Sequence, residues 1–245
     1  MENYTGVVFI HGAGLGTYIW EKVTPYLKNP YLLTDFPGRE KNYTINNDIR
    51  LGDYCNHIIK QIENWKMKQL VIVTHSIGGV IGLKVAEHFE SRVMGFVGIA
   101  SSIPANGGSF LSCLPLPKQL LMGIILRIAG TKPPDSAIKY SLCNDLSSDL
   151  EKKVIDSFVP ESKHLFLEKS NVSISKINAL YIRLSDDNEF PIHLQDKMIR
   201  NLDPKRIITL KSGHLPMMSI PKELAEELKN FIQTCENDPG KPEQP

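Results

Sequence analysis

Residues 70–79 read "LVIVTHSIGG", an apolar run that ends on Thr74-His75-Ser76 and passes at once into glycines. A strand that turns sharply into a helix lifts the residue at the turn out of the sheet, and a serine held there is exposed as a nucleophile. The turn is tight, so the residues two before and two after the serine must be small. Gly78 meets the second requirement and Gly79 lets the helix pack close, whereas Thr74 stands where a glycine would be easier. The helix that starts here points its free N–H groups and the positive end of its dipole at the serine, which makes the backbone N–H of Ile77 a donor to an oxyanion. A hydroxyl attacks poorly without a base. Of the seven histidines, only His214 in "LKSGHLPM" has a fitting place: after the last strand and before the final helix, with Gly213 to turn the chain and Pro216 to fix it. The base in turn needs an acid to hold its tautomer. "ALYIRLSDDNEFP" supplies Asp186 and Asp187 behind a strand. Asp187, three residues after the strand's last apolar residue and four before Pro191, has the better spacing, and Asp186 is the alternative. The order Ser, Asp, His is that of hydrolases built around such an elbow.

A second oxyanion donor is sought in "VVFIHGAGLGT", residues 7–17, a strand entering a glycine-rich loop. A dinucleotide site would need G-x-G-x-x-G here; Gly12, Gly14 and Gly16 follow the strand and Asp35 ends the next one, but the third glycine falls one residue early, at Thr17. No glycine-lysine-serine/threonine follows, which excludes a P-loop. The better reading is an oxyanion loop in which Gly12 lets the backbone approach the substrate and Ala13 gives its N–H. His11 at the strand end reads as an anchor for that loop, and His75 as a core residue. No H-E-x-x-H or cysteine-histidine cluster is present, so neither a metal nor a cofactor is expected.

These residues need a scaffold. The chain has 245 residues, 42% hydrophobic and 22% charged, with a formal net charge of +1. That suits one large α/β domain or two small ones, and the absence of a basic excess argues against nucleic acid or an acidic membrane surface as the main partner. Strands are expected at Val7–His11, Leu32–Asp35, Leu70–His75, Val93–Ala100, Ala179–Leu184 and Arg206–Leu210, mostly as continuous apolar runs of the kind buried on both faces of a parallel sheet. Helices are expected at Ile19–Leu27, Asp53–Trp65, Ile77–Phe89, His193–Asn201 and Pro221–Ile232. This alternation implies a doubly wound α/β sheet. Residues 101–175 interrupt it with six prolines and no convincing strand. They are expected to form a helical lid over the strand ends, with helices at Lys118–Ile128 and near Asp145–Phe158, packed through Phe110, Leu114, Leu116, Leu120, Leu121, Ile124 and Ile125. The core then comprises residues 1–100 and 176–234, and 235–245 a loose tail. The most apolar stretch, "QLLMGIILRIAG", is too short to span a bilayer and contains Arg127, so no stable membrane insertion is expected. Four cysteines without CxxC spacing read as reduced thiols, and with a first strand so near Met1 the expectation is a cytoplasmic protein. A homodimer is left open.

With the residues placed, the chain resembles the α/β-hydrolase superfamily over nearly all of residues 4–233. "HGAGLGTYIWEKVTPYL", "DFPGRE" at 35–40, "HSIGG", the aspartate before "FP" and "SGHLPMM" fall in family order. The resemblance implies an α/β-hydrolase fold: roughly six mostly parallel strands, helices on both faces, and an inserted helical lid. "HGAGLGTYIWEKV" and "YSLCNDLSSDLEKKVIDSFVPES" at 140–162 are similar to the small methylesterase and hydroxynitrile lyase branch. Lyases of one subgroup carry a lysine after the catalytic histidine and a threonine in the oxyanion loop. Here those positions correspond to Leu215 and Ala13 (or Gly12), which points to the esterase side. The resemblance thus implies hydrolysis of a small apolar carboxylic ester, with Leu215 and Met217 lining the acyl pocket. Cofactor-free lyase chemistry and a non-catalytic ligand receptor are the alternatives.

Overall fold

A computed structural model of the chain describes residues 5–39, 48–172 and 177–237. Residues 1–4, 40–47 (with the last residue of "DFPGRE") and 176 of the expected core, 173–175 of the expected lid and 238–245 of the expected tail lie outside the described residues. Six strands form one sheet: β1 (Thr5–Ile10), β2 (Tyr31–Thr34), β3 (Gln69–His75), β4 (Val93–Ile99), β5 (Ala179–Leu184) and β6 (Arg206–Leu210). Their spatial order is β2-β1-β3-β4-β5-β6, and every neighbouring pair is parallel. The apolar runs explain why. Alternate residues of a strand face opposite sides, and here both sides are buried: Val8, Ile10, Leu70 and Ile72 join one core, while Val7, Phe9, Val71 and Val73 join the other.

The first core is covered by α1 (Leu51–Trp65), α2 (Gly78–His88) and α7 (Ile192–Leu202), which contribute Ile58, Val80 and Met198. The second is covered by α8 (Pro216–Ser219) and α9 (Pro221–Asn237), whose Met217, Leu224 and Phe231 pack beside Trp20. α9 extends to Asn237 and buries Cys235 completely, so the chain is still helical where the tail was expected to begin. The expected helix Ile19–Leu27 is instead a pair of short 3-10 turns, Thr17–Trp20 and Thr24–Tyr26. Pro25 accounts for the difference, because a proline in mid-helix has no N–H to give and clashes with the preceding turn.

Between β4 and β5 lie α3 (Leu116–Ile128), α4 (Asp135–Leu142), α5 (Ser148–Asp156) and α6 (Lys163–Leu167). Phe110 and Leu114 are buried here, together with Leu111, Cys113, Leu126, Leu165 and Phe166. Leu116, Leu120, Leu121, Ile124 and Ile125, expected to pack inward, are instead exposed.

Candidate active site

The strand order reverses at β1, since β2 lies on one side of it and β3 on the other. At such a point the loops leaving neighbouring strands diverge and open a crevice at the carboxyl end of the sheet. The loops after β1 and β3 are the two that carry Ala13 and Ser76.

Ser76 has a φ of +53°, a region that non-glycine residues seldom occupy and that tends to mark a constrained functional turn. Its carbonyl accepts N–H bonds from Gly79 (3.0 Å) and Ser102 (2.8 Å), which lock the turn. A side chain at Gly78 would come within 2.6 Å of the His11 carbonyl oxygen, so only glycine passes there. Thr74 fits because its neighbour in α2 is also a glycine: a Cβ on Gly82 would lie 2.3 Å from Thr74 Cγ2. The Thr74 hydroxyl is held by the Val97 carbonyl at 3.1 Å and Ser101 Oγ at 2.8 Å.

The β1 loop is pressed against this turn, with a Cβ on Gly12 falling 3.0 Å from Ser76 Cβ. His11, fully buried, donates from Nδ1 to the Gly12 carbonyl at 2.8 Å and meets Asp35 Oδ1 through Nε2 at 3.0 Å. Within the loop, Gly14 N–H donates to Glu161 Oε1 at 3.1 Å and Leu15 N–H to the Gly12 carbonyl at 3.3 Å. The N–H groups of Ala13 and Ile77 have no acceptor among the described residues.

His214 lies on the loop after β6, 1% exposed, and its Nδ1 meets Asp187 Oδ2 at 2.8 Å. The other oxygen of Asp187 accepts N–H bonds from Glu189 (2.8 Å) and Phe190 (2.9 Å). Asp186 points outward and is bonded by Ser185 Oγ at 2.8 Å, so of the two aspartates it is Asp187 that reaches the imidazole. Burial alone would push the His214 pKa down, but the Asp187 carboxylate, its hydrogen bond, and the charges of Glu189 and Asp145 outweigh it and raise the value above 6.5. His75 links the nucleophile turn to the histidine loop: its Nε2–H donates to the His214 carbonyl at 2.8 Å, and the two rings stand 4.6 Å apart. Burial, reinforced by His214, holds His75 well below 6.5 and therefore neutral. Ser76 Oγ makes no hydrogen bond to His214 among the described residues, a gap of the kind that closes when substrate binds.

Leu215 and Met217 are fully buried and belong to the core that contains Leu15 and Ile19. All four cysteines are buried and none is joined to another in a disulfide, and burial pushes the thiols of Cys55, Cys113 and Cys143 up to about 12, which leaves them poor nucleophiles. Among the described residues no group of three or more His, Cys, Asp or Glu side chains is placed to hold a metal, and no helix is long and apolar enough to cross a membrane.

Two features of the site were missed in the sequence. Glu161, 3% exposed, accepts from Gly14 N–H, from Tyr54 Oη at 3.0 Å and from the Arg39 guanidinium, while Arg39 also donates to the Leu15 carbonyl at 2.9 Å. Val159 N–H adds a bond to the Gly14 carbonyl at 3.0 Å. The segment between β4 and β5 is thereby stapled to the β1 loop. Asp145 does the same for the histidine loop, accepting Gly213 N–H at 2.7 Å and Ser212 Oγ at 3.0 Å. Only a buried acidic residue beside an aromatic and an arginine, far apart in the chain, could have signalled the first staple.

The model of the alpha/beta hydrolase family matches residues 7–227. The chain is 26% identical over 92% of its length to "Putative methylesterase 13, chloroplastic" of Arabidopsis thaliana, of whose length it spans 56%. It is 23% identical to methylesterase 7 of the same plant, covering 91% of this chain and 94% of that one. Among solved structures, an extracellular alpha/beta-hydrolase from a Paenibacillus species superposes with a TM-score of 0.83 at 20% identity, covering 93% of this chain and 98% of that chain. That protein is described as sharing structural and functional homology with tobacco salicylic acid binding protein 2.

Proposed function

Because the chain belongs to the alpha/beta hydrolase family, we propose that it is a serine esterase that cleaves a small carboxylic ester by way of an acyl-enzyme. Ser76 Oγ attacks the carbonyl carbon as His214 Nε2 takes its proton. The oxyanion is held by the N–H groups of Ala13 and Ile77, each donor of this kind being worth about 10²–10³ in rate. His214 then gives the proton to the departing alcohol, and a water activated by the same imidazole releases the acid. Asp187 fixes the tautomer by accepting from Nδ1 at 2.8 Å and stabilises the imidazolium. The acyl part is apolar, and Leu215 and Met217 back its pocket. Four buried cysteines with no disulfide between them suit a reducing cytoplasm.

The observation that carries this reading is the approach of three loops to one another: a serine at φ +53°, a histidine bonded to a buried aspartate and tied to the serine turn through His75, and two backbone N–H groups with no acceptor among the described residues. The methylesterase names of the relatives point to the same class of reaction. Ester hydrolysis is favoured over lyase chemistry because Leu215 stands where one lyase subgroup carries a lysine.

The test is hydrolysis of p-nitrophenyl acetate, butyrate and octanoate by the wild type and by Ser76→Ala, with mass spectrometry after treatment with a fluorophosphonate. The variant should lose at least about 10⁴-fold in kcat, and one adduct should form, on Ser76. Turnover that survives in Ser76→Ala would refute the assignment, as would a wild type that neither turns over nor labels.

A further inference from the structure

α3 carries six large aliphatic side chains outward: Leu116, Leu120, Leu121, Ile124, Ile125 and Ile128, exposed by between 39% (Ile125) and 83% (Ile128). At about 100° per residue they occupy one continuous half of the helix surface. Gly123 and Leu126 occupy the other half, and both are buried. An exposed apolar surface of this kind is rare on a free monomer and marks a contact surface.

The charges around it indicate what makes the contact. Lys118 borders the face on one side, and Arg127 sits among its residues near the C-terminal end, so both are cationic. Lys132 follows α3 directly, and Lys163 joins Arg127, Gly130 and Thr131 around a hollow at that same end. Between Glu90 and Asp135 the chain has no carboxylate at all. An isologous contact with a second copy would bring these cations together across the two-fold axis, with no acid from the same stretch to pair them. An anionic lipid surface offers the opposite: acyl chains for the aliphatic face and negative headgroups for its rim. At about 1.5 Å per residue the helix is also too short to span a bilayer, so it would lie in the plane of the interface.

We infer that α3 is an interfacial helix that seats the lid on anionic membranes, with its aliphatic face in the headgroup–acyl boundary and Lys118, Arg127, Lys132 and Lys163 against the lipid phosphates. The contact is peripheral and reversible.

The test is co-sedimentation of the full chain with vesicles of phosphatidylcholine alone, and of phosphatidylcholine with phosphatidylserine. Binding is read without turnover, so its result is independent of the esterase assignment. The expected result is binding to the anionic vesicles, weak binding to the neutral ones, and release at high salt as the charges are screened. Leu120→Ser with Ile124→Ser, and separately Arg127→Gln with Lys163→Gln, should each lower partitioning by about tenfold or more, with fluorophosphonate labelling and p-nitrophenyl acetate hydrolysis unchanged. Three results would overturn the inference: no binding to anionic vesicles, binding indifferent to both double variants, or a wild-type dimer that Leu120→Ser with Ile124→Ser dissolves while vesicles bind neither form.

Discussion

The two faces of the segment between β4 and β5 are built on opposite plans. Toward the sheet it presents Glu161, 3% exposed, and Asp145, each bonded to a backbone N–H of a site loop. Toward solvent α3 presents leucine and isoleucine, with Leu120 72% exposed. In the sheet the usual order holds, with Val7 to Ile10 and Leu70 to Val73 completely buried. Directed polar bonds therefore set where this segment sits relative to the β1 and β6 loops, and the aliphatic half of α3 contributes nothing to that placement. Damage to the two faces should have very different consequences.

The largest effect is expected at Glu161. Glu161→Gln keeps the shape but leaves the Arg39 guanidinium, whose side chain is only 10% exposed, without its counter-charge. Removing one partner of a buried pair costs about 3–5 kcal/mol, which in a domain of this size lowers Tm by about 10 °C. The β1 loop would also loosen, and misplacement of an oxyanion donor by a fraction of an ångström can cost up to about 10²-fold in kcat. KM should move little, since the staple does not touch the acyl pocket. Thermal melts and steady-state kinetics on a soluble ester read both quantities. A variant with unchanged Tm and kcat would mean that the inner face is not what positions the loop.

Why the two plans were unequally legible follows from the same contrast. The strands and the Ser76 turn are written in local sequence: β-branched runs, a serine before Gly78-Gly79, and a histidine in a loop turned by Gly213. The short helix α4 also had a local signal, Pro133-Pro134 followed by Asp135 at its first turn, which is a recognised helix start. The 3-10 turns at 17–26 could have been read from Pro25. Glu161 could not, because nothing near it in the chain shows that Arg39, Tyr54 and Gly14 converge on its carboxylate. α3 misled in the other direction: an apolar helix reads as buried from its composition, and its exposure depends on what the rest of the fold leaves uncovered.

A smaller effect is expected from Asp145→Asn, which keeps an acceptor for Gly213 N–H but removes a negative charge near His214. In the proposed mechanism the imidazole works as a base only when neutral, and its raised pKa means that activity should be lost as pH falls through a midpoint above 6.5. Taking away the Asp145 charge removes one of the influences that raise it. The acid limb of the kcat/KM profile should therefore move to lower pH by a fraction of a unit, while the plateau falls by at most about tenfold for a slightly displaced loop. A midpoint that stays fixed in Asp145→Asn, with the wild-type limb already below 6.5, would contradict the electrostatic picture of the base.

The smallest effect is expected on the outer face. Leu121 is 57% exposed, so Leu121→Ser removes almost no buried surface, and surface changes of this kind lie within about 0.5 kcal/mol. Tm should stay within about 2 °C, and turnover of a water-soluble ester should be unaltered. Because Leu121 shares no hydrogen-bond partner with Glu161, its effect on Tm should simply add to that of Glu161→Gln in the double variant. A large loss of stability on changing Leu121 alone would show that α3 is already covered in solution, by another part of the chain or by a second copy. The segment between β4 and β5 would then be held from both sides, and the division between a positioning face and a free face would fail.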